Sequence, residues 1–221
     1  MPEKKTILPL FALPCVVFPD EAVPFHIFEE RYKLMVRDLL AREKAGRQSL
    51  FGVTCVDGEV IFQSGCAVMI ERVLEEYSDG RYDILTRGIT RYRMIDVDRG
   101  GPYPTATVEY FDDTQPTDTM LVGRAVTLHM KLSELSRGHP TTPGFSPEQR
   151  VSFALAHNAG LDLAQRQSLL EMRSERERLE FLIAYYQRII PEVQKRRDIQ
   201  ERIQANGNIR VLRAAELVGE E

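Results

Sequence analysis

His26-Ile27-Phe28-Glu29-Glu30 sets an imidazole and a carboxylate three residues apart, the spacing by which one helix face offers two ligands to a metal. Two ligands are too few for a structural site, which needs four, and no second copy of the pattern occurs. The competing role is structural. His26 would hydrogen-bond where a strand gives way to a helix, and Glu29 would sit near the positive end of that helix. His129, His139 and His157 stand alone in the sequence, and Cys15, Cys55 and Cys66 form no C-x-x-C pair. An odd cysteine count without paired spacing supports neither a zinc site nor a disulfide framework. Cys15 and Cys66, beside apolar strand-like residues, read as buried thiols. No metal and no cofactor is expected.

None of the 14 glycines is followed by lysine, so the phosphate-cradling P-loop cannot form in this sequence. Lys131 and Ser133 are close in sequence, but residues two apart on a helix do not face one another, so no Ser–Lys pair follows. No catalytic residue is expected, and an enzyme assembled from distant histidines and carboxylates ranks as the third reading. Arg87, Arg91 and Arg93 share one strand parity. They would make either a basic stripe for RNA phosphates or a solvated sheet face paired with Glu71, Glu75 and Asp83. Lys and Arg total 29 against 33 Asp and Glu, a net charge of −4, which favours the solvated face. Arg173, Arg176 and Arg178 alternate with glutamates, as solvated helix faces do.

The elements that must hold these groups change character near residue 115. Before it, apolar runs at Ile7–Leu13, Cys15–Phe18 and Val23–Ile27 are broken by prolines and a Pro19-Asp20-Glu21 turn. One helix follows, with Phe28, Tyr32, Met35, Val36, Leu39 and Leu40 on a single stripe. Strands are predicted at Phe51–Val56, Cys66–Glu75, Tyr82–Asp98 and Thr105–Phe111, with hairpin dipeptides at Asp57-Gly58 and Asp79-Gly80. Gly88 marks a bulge or bend in the longest strand. Several antiparallel strands with glycine bends and one helix point to a small, partly closed barrel. Helices then dominate, starting near Asp118 and at three capping patterns: Ser146–Gln149, Asp162 with Gln165, and Ser174 with Glu177. Pro191 should kink or end the last regular helix, and Asn206-Gly207-Asn208 should break its charged continuation. The expected class is α+β, a β-rich lobe over residues 1–115 and a helical lobe over residues 116–221, with a charged extension after about residue 194. The N-terminal apolar stretch is too short and interrupted for a signal peptide or membrane span, so a soluble, cytoplasmic protein is expected.

One ordered set of motifs resembles a known family. Ile7-Leu8-Pro9-Leu10-Phe11, then Val16-Val17-Phe18-Pro19, then Pro24-Phe25-His26-Ile27-Phe28-Glu29-Glu30-Arg31-Tyr32 are similar to the opening of the N-terminal substrate-binding domain of Lon proteases. The likeness continues through Phe51-Gly52-Val53, Asp79-Gly80-Arg81, Gly88 with Arg91-Tyr92, Pro102-Tyr103 and Gln167-Ser168-Leu169-Leu170-Glu171, covering about residues 6 to 193. Asp20 departs from it, since the family commonly has glycine there. The resemblance implies a PUA-like β-barrel lobe, a helical bundle, and a free-standing, non-catalytic module without the ATPase and protease parts. Its implied partners are unfolded or partly folded proteins and a Lon-type protease, as a monomer or weak homo-oligomer. Phe25, His26, Phe28, Arg31 and Tyr32, in its most recognisable segment, are the candidates for polypeptide contact, although a structural junction is the preferred reading, with Arg31 paired to an acid and Phe28 and Tyr32 on the helix's core face. RNA binding through a PUA-like barrel is the alternative.

Overall fold

The computed structural model describes residues 5–47, 49–113, 119–141 and 150–216. Contacts divide them into two compact units, one of residues 1–117 with 144–178, the other of residues 118–143 with 179–221.

The first unit is a barrel with helices. Its strands are β1 (Thr6–Leu13), β2 (Ala22–Ile27), β3 (Leu50–Asp57), β4 (Val60–Glu76), β5 (Tyr82–Asp98) and β6 (Thr105–Phe111), with α1 (Glu30–Lys44) between β2 and β3. The sheet order is β2-β5-β4-β3-β1-β6, and an additional β5–β6 pairing closes five of the six strands. β1 and β3 run parallel, which departs from the all-antiparallel expectation. Parallel neighbours need a crossover, and β2 with α1 supplies it. The run Cys15–Phe18 is not a strand, although Val16, Val17 and Phe18 are buried. β4 starts directly after the Asp57-Gly58 turn, ahead of the predicted Cys66.

β5 lets one chain serve two neighbours. Its first half, from Tyr82 to Arg87, pairs with β2, and its second half, from Arg91 to Asp98, pairs with β6. The exchange occurs at Gly88, where the register with β4 also shifts between Ala67 and Val68. A Cβ on Gly88 would lie 2.0 Å from the Phe18 carbonyl oxygen, so only glycine lets the preceding loop come so close. Inside the barrel, the fully buried Tyr92 ring fills the space that side chains at Gly52 and Gly65 would occupy. Its hydroxyl hydrogen-bonds Thr54. The main core joins Phe11, Phe51, Val53, Cys66, Val68 and Ile84 of the strands to Tyr32, Met35, Val36 and Leu39 of α1. Burial pushes the Cys66 thiol up to about 12, so it is an inert apolar filler here.

The loop from β1 to β2 turns on Phe18-Pro19-Asp20-Glu21, closed by the Glu21 N–H donating to the Phe18 carbonyl at 3.2 Å. Proline second and a positive φ third are the requirements of a type II turn. Asp20 takes that position at φ 66°, the only non-glycine residue with positive φ among those described. The departure from glycine therefore leaves the turn intact and costs strain instead. Asp20→Gly is expected to raise stability by up to about 1 kcal/mol, the strain relief being partly offset by glycine's added unfolded-state entropy. A urea denaturation midpoint that falls would show that Asp20 contributes a contact outweighing its strain.

Two short helices belong to this unit, α3 (Val151–His157) and α4 (Leu163–Glu171). The Asp162 side chain accepts from the Gln165 N–H at 2.8 Å and the Gln165 side chain accepts from the Asp162 N–H at 3.0 Å, the reciprocal box that the spacing predicts. The Ser146–Gln149 pattern lies outside the described residues. The second unit contains α2 (Thr119–Arg137) and nearly all of α5 (Glu175–Glu216). His129, predicted as isolated, is a core histidine there, its Nδ1 3.0 Å from the Tyr186 hydroxyl. α5 runs on through Pro191 and through Asn206-Gly207-Asn208. Each poor helix former costs on the order of 1–3 kcal/mol, and the many Arg, Gln, Glu, Ala and Leu residues around them favour the helix. No helix among the described residues is long and apolar enough to cross a membrane.

Candidate functional site

Where β2 runs into α1, four of the five residues singled out from the sequence gather at one cavity. Its walls are Phe11, Ala12, Leu13 and Pro14 from the end of β1, and Pro24 through Glu29 with Tyr32 from β2 and the start of α1. The volume is about 440 Å³, enough for one or two large side chains. Alternation along β2 sends Phe25 and Ile27 inward and leaves Ala22, Pro24 and His26 exposed. The Phe11 ring meets Phe25 edge-on at 5.3 Å and Tyr32 at 4.6 Å, which makes a rigid aromatic floor.

Phe28 was expected on the core face of the helix, but it is 62% exposed. The helix begins at Glu30 with Glu29 as an extended cap residue, so Phe28 precedes the helical stripe and projects from the rim. Its ring stacks near His26, centroids 6.1 Å apart. His26 is oriented by a hydrogen bond from its ring to Asp83, and Asp83 also accepts from the Tyr77 hydroxyl at 2.7 Å. The hydrogen bond to His26, then the one from Tyr77, holds the Asp83 carboxyl below its ordinary value. Arg31 does not line the cavity. It lies over the Tyr32 ring at 4.6 Å and donates to Glu29 at 2.9 Å. Glu29 is the N-cap residue, at the positive end of α1 as expected; it makes no side-chain cap bond and pairs with Arg31 instead. His26 and Glu29 thus have separate partners, Asp83 and Arg31. Four of the five singled-out residues border one apolar hollow. The walls Phe11 to Pro14 went unnoticed in the sequence because β1 reaches the hollow only through the barrel's closure.

At Arg91 the arginine strand departs from both sequence expectations. Arg91 is 1% exposed, buried rather than solvated. Its guanidinium donates to Asp113 at 2.6 Å and to the Leu170 and Met172 carbonyls at 3.0 and 2.5 Å. Arg178, also expected on a solvated face, is fully buried and donates to Asp113, to Glu175 at 2.7 Å and to the Ser152 hydroxyl oxygen at 2.8 Å. Arg150 donates to Asp113 as well, at 2.9 Å. Arg87 lies beside Glu71 at 2.8 Å, as the solvated-face reading had it. No continuous basic stripe is formed. The motif alternation fails as a guide because burial of Arg91 and Arg178 depends on acids far away in the chain.

Residues 7–188 match the family of the ATP-dependent protease La (LON) substrate-binding domain. The chain belongs to this family. Among Lon-family relatives, Lon protease 2 of Syntrophobacter fumaroxidans is 27% identical over 93% of this chain and 27% of its own length. The Lon protease of Escherichia coli K12 is 23% identical over 91% of this chain and again 27% of its own length. The chain therefore spans about a quarter of the Lon proteases it matches. Of solved structures, a Lon N-terminal domain protein from Xanthomonas campestris aligns with a TM-score of 0.62 and 28% identity, covering 81% of this chain and 98% of that one. The N-terminal domain of Lon protease from Mycobacterium avium complex shares the fold, with a TM-score of 0.62 at 19% identity. The matched family is that of a substrate-binding domain, which supports a Lon-like substrate-recognition module.

Proposed function

We propose that the chain binds unfolded or partly folded polypeptides at the aromatic hollow between β1, β2 and α1, as a substrate receptor or adaptor. One observation carries the reading: Phe28, a large apolar side chain, stands exposed on the rim of a hollow floored by Phe11, Phe25 and Tyr32. An exposed aromatic beside a preformed apolar pocket is the usual mark of a binding hot spot. Unfolded chains offer the apolar side chains that such a pocket takes up. Phe25, His26, Phe28 and Tyr32 are the residues assigned to contact, with Arg31 bracing the turn from behind. A cytoplasmic setting and a Lon-type protease as a further partner belong to the same reading. The RNA alternative needs Arg87, Arg91 and Arg93 on one exposed face, and the burial of Arg91 removes the middle of that stripe.

Fluorescence anisotropy with a labelled, permanently unfolded polypeptide tests it, at low and high salt and with a labelled RNA beside it. Apolar contact is little screened, so binding should survive high salt. Phe28→Ala should weaken it by about 1–2 kcal/mol, roughly five- to thirty-fold in Kd, without loss of stability, since the ring is mostly exposed. Polypeptide binding that is absent, or unchanged in Phe28→Ala, would refute the assignment of this site.

A further inference from the structure

Two unpaired strand edges border the hollow. β2 pairs with β5 alone among the described residues, and an antiparallel ladder uses the main-chain groups of alternate residues only. The Gly88 N–H donates to the Glu21 carbonyl at 2.9 Å, one step beyond the Ala22–Arg87 pair. In that phase Val23, Phe25 and Ile27 direct their main-chain groups at β5, while Ala22, Pro24 and His26 direct theirs away from it. Pro24, with no N–H to offer, is at home at such an outward position. On the facing wall, the Leu10 N–H donates to the Pro104 carbonyl at 2.8 Å, and the β6 ladder stops at Pro9–Thr105. Two residues on, the main-chain groups of Ala12 face the same side with no strand opposite among the described residues.

The lining of the hollow agrees with this. A pocket over a sheet face meets every second residue of a strand, because successive side chains point to opposite faces. This one meets Phe11 to Pro14 and Pro24 to Glu29 without a gap, as a pocket along strand edges does. Unpaired N–H and C=O dipoles in a row are electrostatically complementary to another extended main chain. An α-helix, whose main-chain groups bond internally, has nothing to offer them.

From these edges we infer that the hollow receives its polypeptide as an added strand on β2. The bound segment runs extended along β2, exchanging main-chain hydrogen bonds with Ala22 and His26 and donating to the Pro24 carbonyl, while alternate apolar side chains drop toward Phe11, Phe25 and Phe28. This rests on the polypeptide-binding reading above and narrows its substrate class to extended, proline-free segments with apolar residues at every second position.

The test uses the full chain and a fluorescently labelled ten-residue peptide of alternating leucine and serine. A second peptide keeps every side chain but has its central amides N-methylated, which removes the main-chain donors. The methylated peptide should bind roughly tenfold or more weakly, the loss expected for two main-chain hydrogen bonds. Hydrogen exchange at the His26 amide should slow at least about tenfold when the unmodified peptide saturates the protein. Equal binding of both peptides would overturn the inference and leave the polypeptide-binding reading standing on side-chain capture. So would weakened binding with no slowing at His26, which would place the main-chain contacts elsewhere. If neither peptide binds, the functional reading fails and this inference with it.

Discussion

Asp113→Ala should destabilise the protein by about 3–5 kcal/mol, the range for removing one partner from a buried ion pair. The cluster is balanced as it stands: Arg91, Arg150 and Arg178 face Asp112, Asp113 and Glu175. Asp113 is the hub, bonded to all three arginines, with a side chain 10% exposed. Its loss leaves one net positive charge between two guanidiniums that are 0–1% exposed, and neither can shed its proton. Burial alone would raise the Asp113 carboxyl. The hydrogen bond from Arg178, with the charges of Arg178, Arg91 and Arg150, outweighs it and holds the group at about 2, against an ordinary 3.8. A folded-state value below the unfolded one gives stability that is present above the unfolded value and is lost as pH falls through the folded one. The contribution should fade between about pH 5 and pH 2, and Asp113→Asn should flatten that limb of the stability curve. Urea denaturation across this pH range, on both variants, reads the two effects. An Asp113→Ala protein within about 1 kcal/mol of the parent would mean that the arginines find other acceptors.

Gly88→Ala should cost about 3 kcal/mol or more, above the usual range for one added methyl in a packed site. The new Cβ would meet the Phe18 carbonyl oxygen at 2.0 Å and the carbonyl carbon at 2.9 Å, and main-chain atoms cannot swing aside as a flexible side chain can. Relief requires the Pro19 turn to lift from β5. That breaks the bonds from the Asp20 N–H to the Gly88 carbonyl, 2.8 Å, and from the Gly88 N–H to the Glu21 carbonyl, 2.9 Å. Each broken bond that stays dry costs about 1–3 kcal/mol. Gly123→Ala is the control. Gly123 is in a helix with nothing within 4 Å of its would-be Cβ, and alanine there should be neutral or stabilising. Thermal or urea unfolding of the pair distinguishes steric conflict from a general intolerance of alanine. Because the turn also carries the chain from β1 to β2, Gly88→Ala should loosen the hollow and weaken polypeptide binding along with stability.

Local chemistry made much of this molecule legible in advance. The strands Tyr82–Asp98 and Thr105–Phe111 follow from alternation and turn residues within a few positions of them. The Asp162–Gln165 box and the α1 stripe from Tyr32 to Leu39 are likewise decided by neighbours three and four residues away. The family motifs are of the same kind, and so the family itself could be read from the order of short segments. Gly88 announced a bend, although not that β5 changes partners there.

Tertiary structure decided whatever depends on residues far apart. Phe28 fitted the helical stripe by spacing, yet the start of the helix at Glu30 turned it out to the rim of the hollow. Arg91 shares a strand parity with Arg87 and Arg93, and Arg178 alternates with glutamates, as surface arginines do; both are buried because Asp113 and, for Arg178, Glu175 are folded onto them. A charge is buried when its partner is supplied, and Arg91 and Asp113 are 22 residues apart in the chain. Periodicity reports which face of an element is apolar. The sequence by itself determined most of the strands, the α1 stripe and the family; where α1 starts, which acids fold onto the arginines and how the sheet pairs decided which aromatic stands exposed, which arginines are buried and which strand edges are left open.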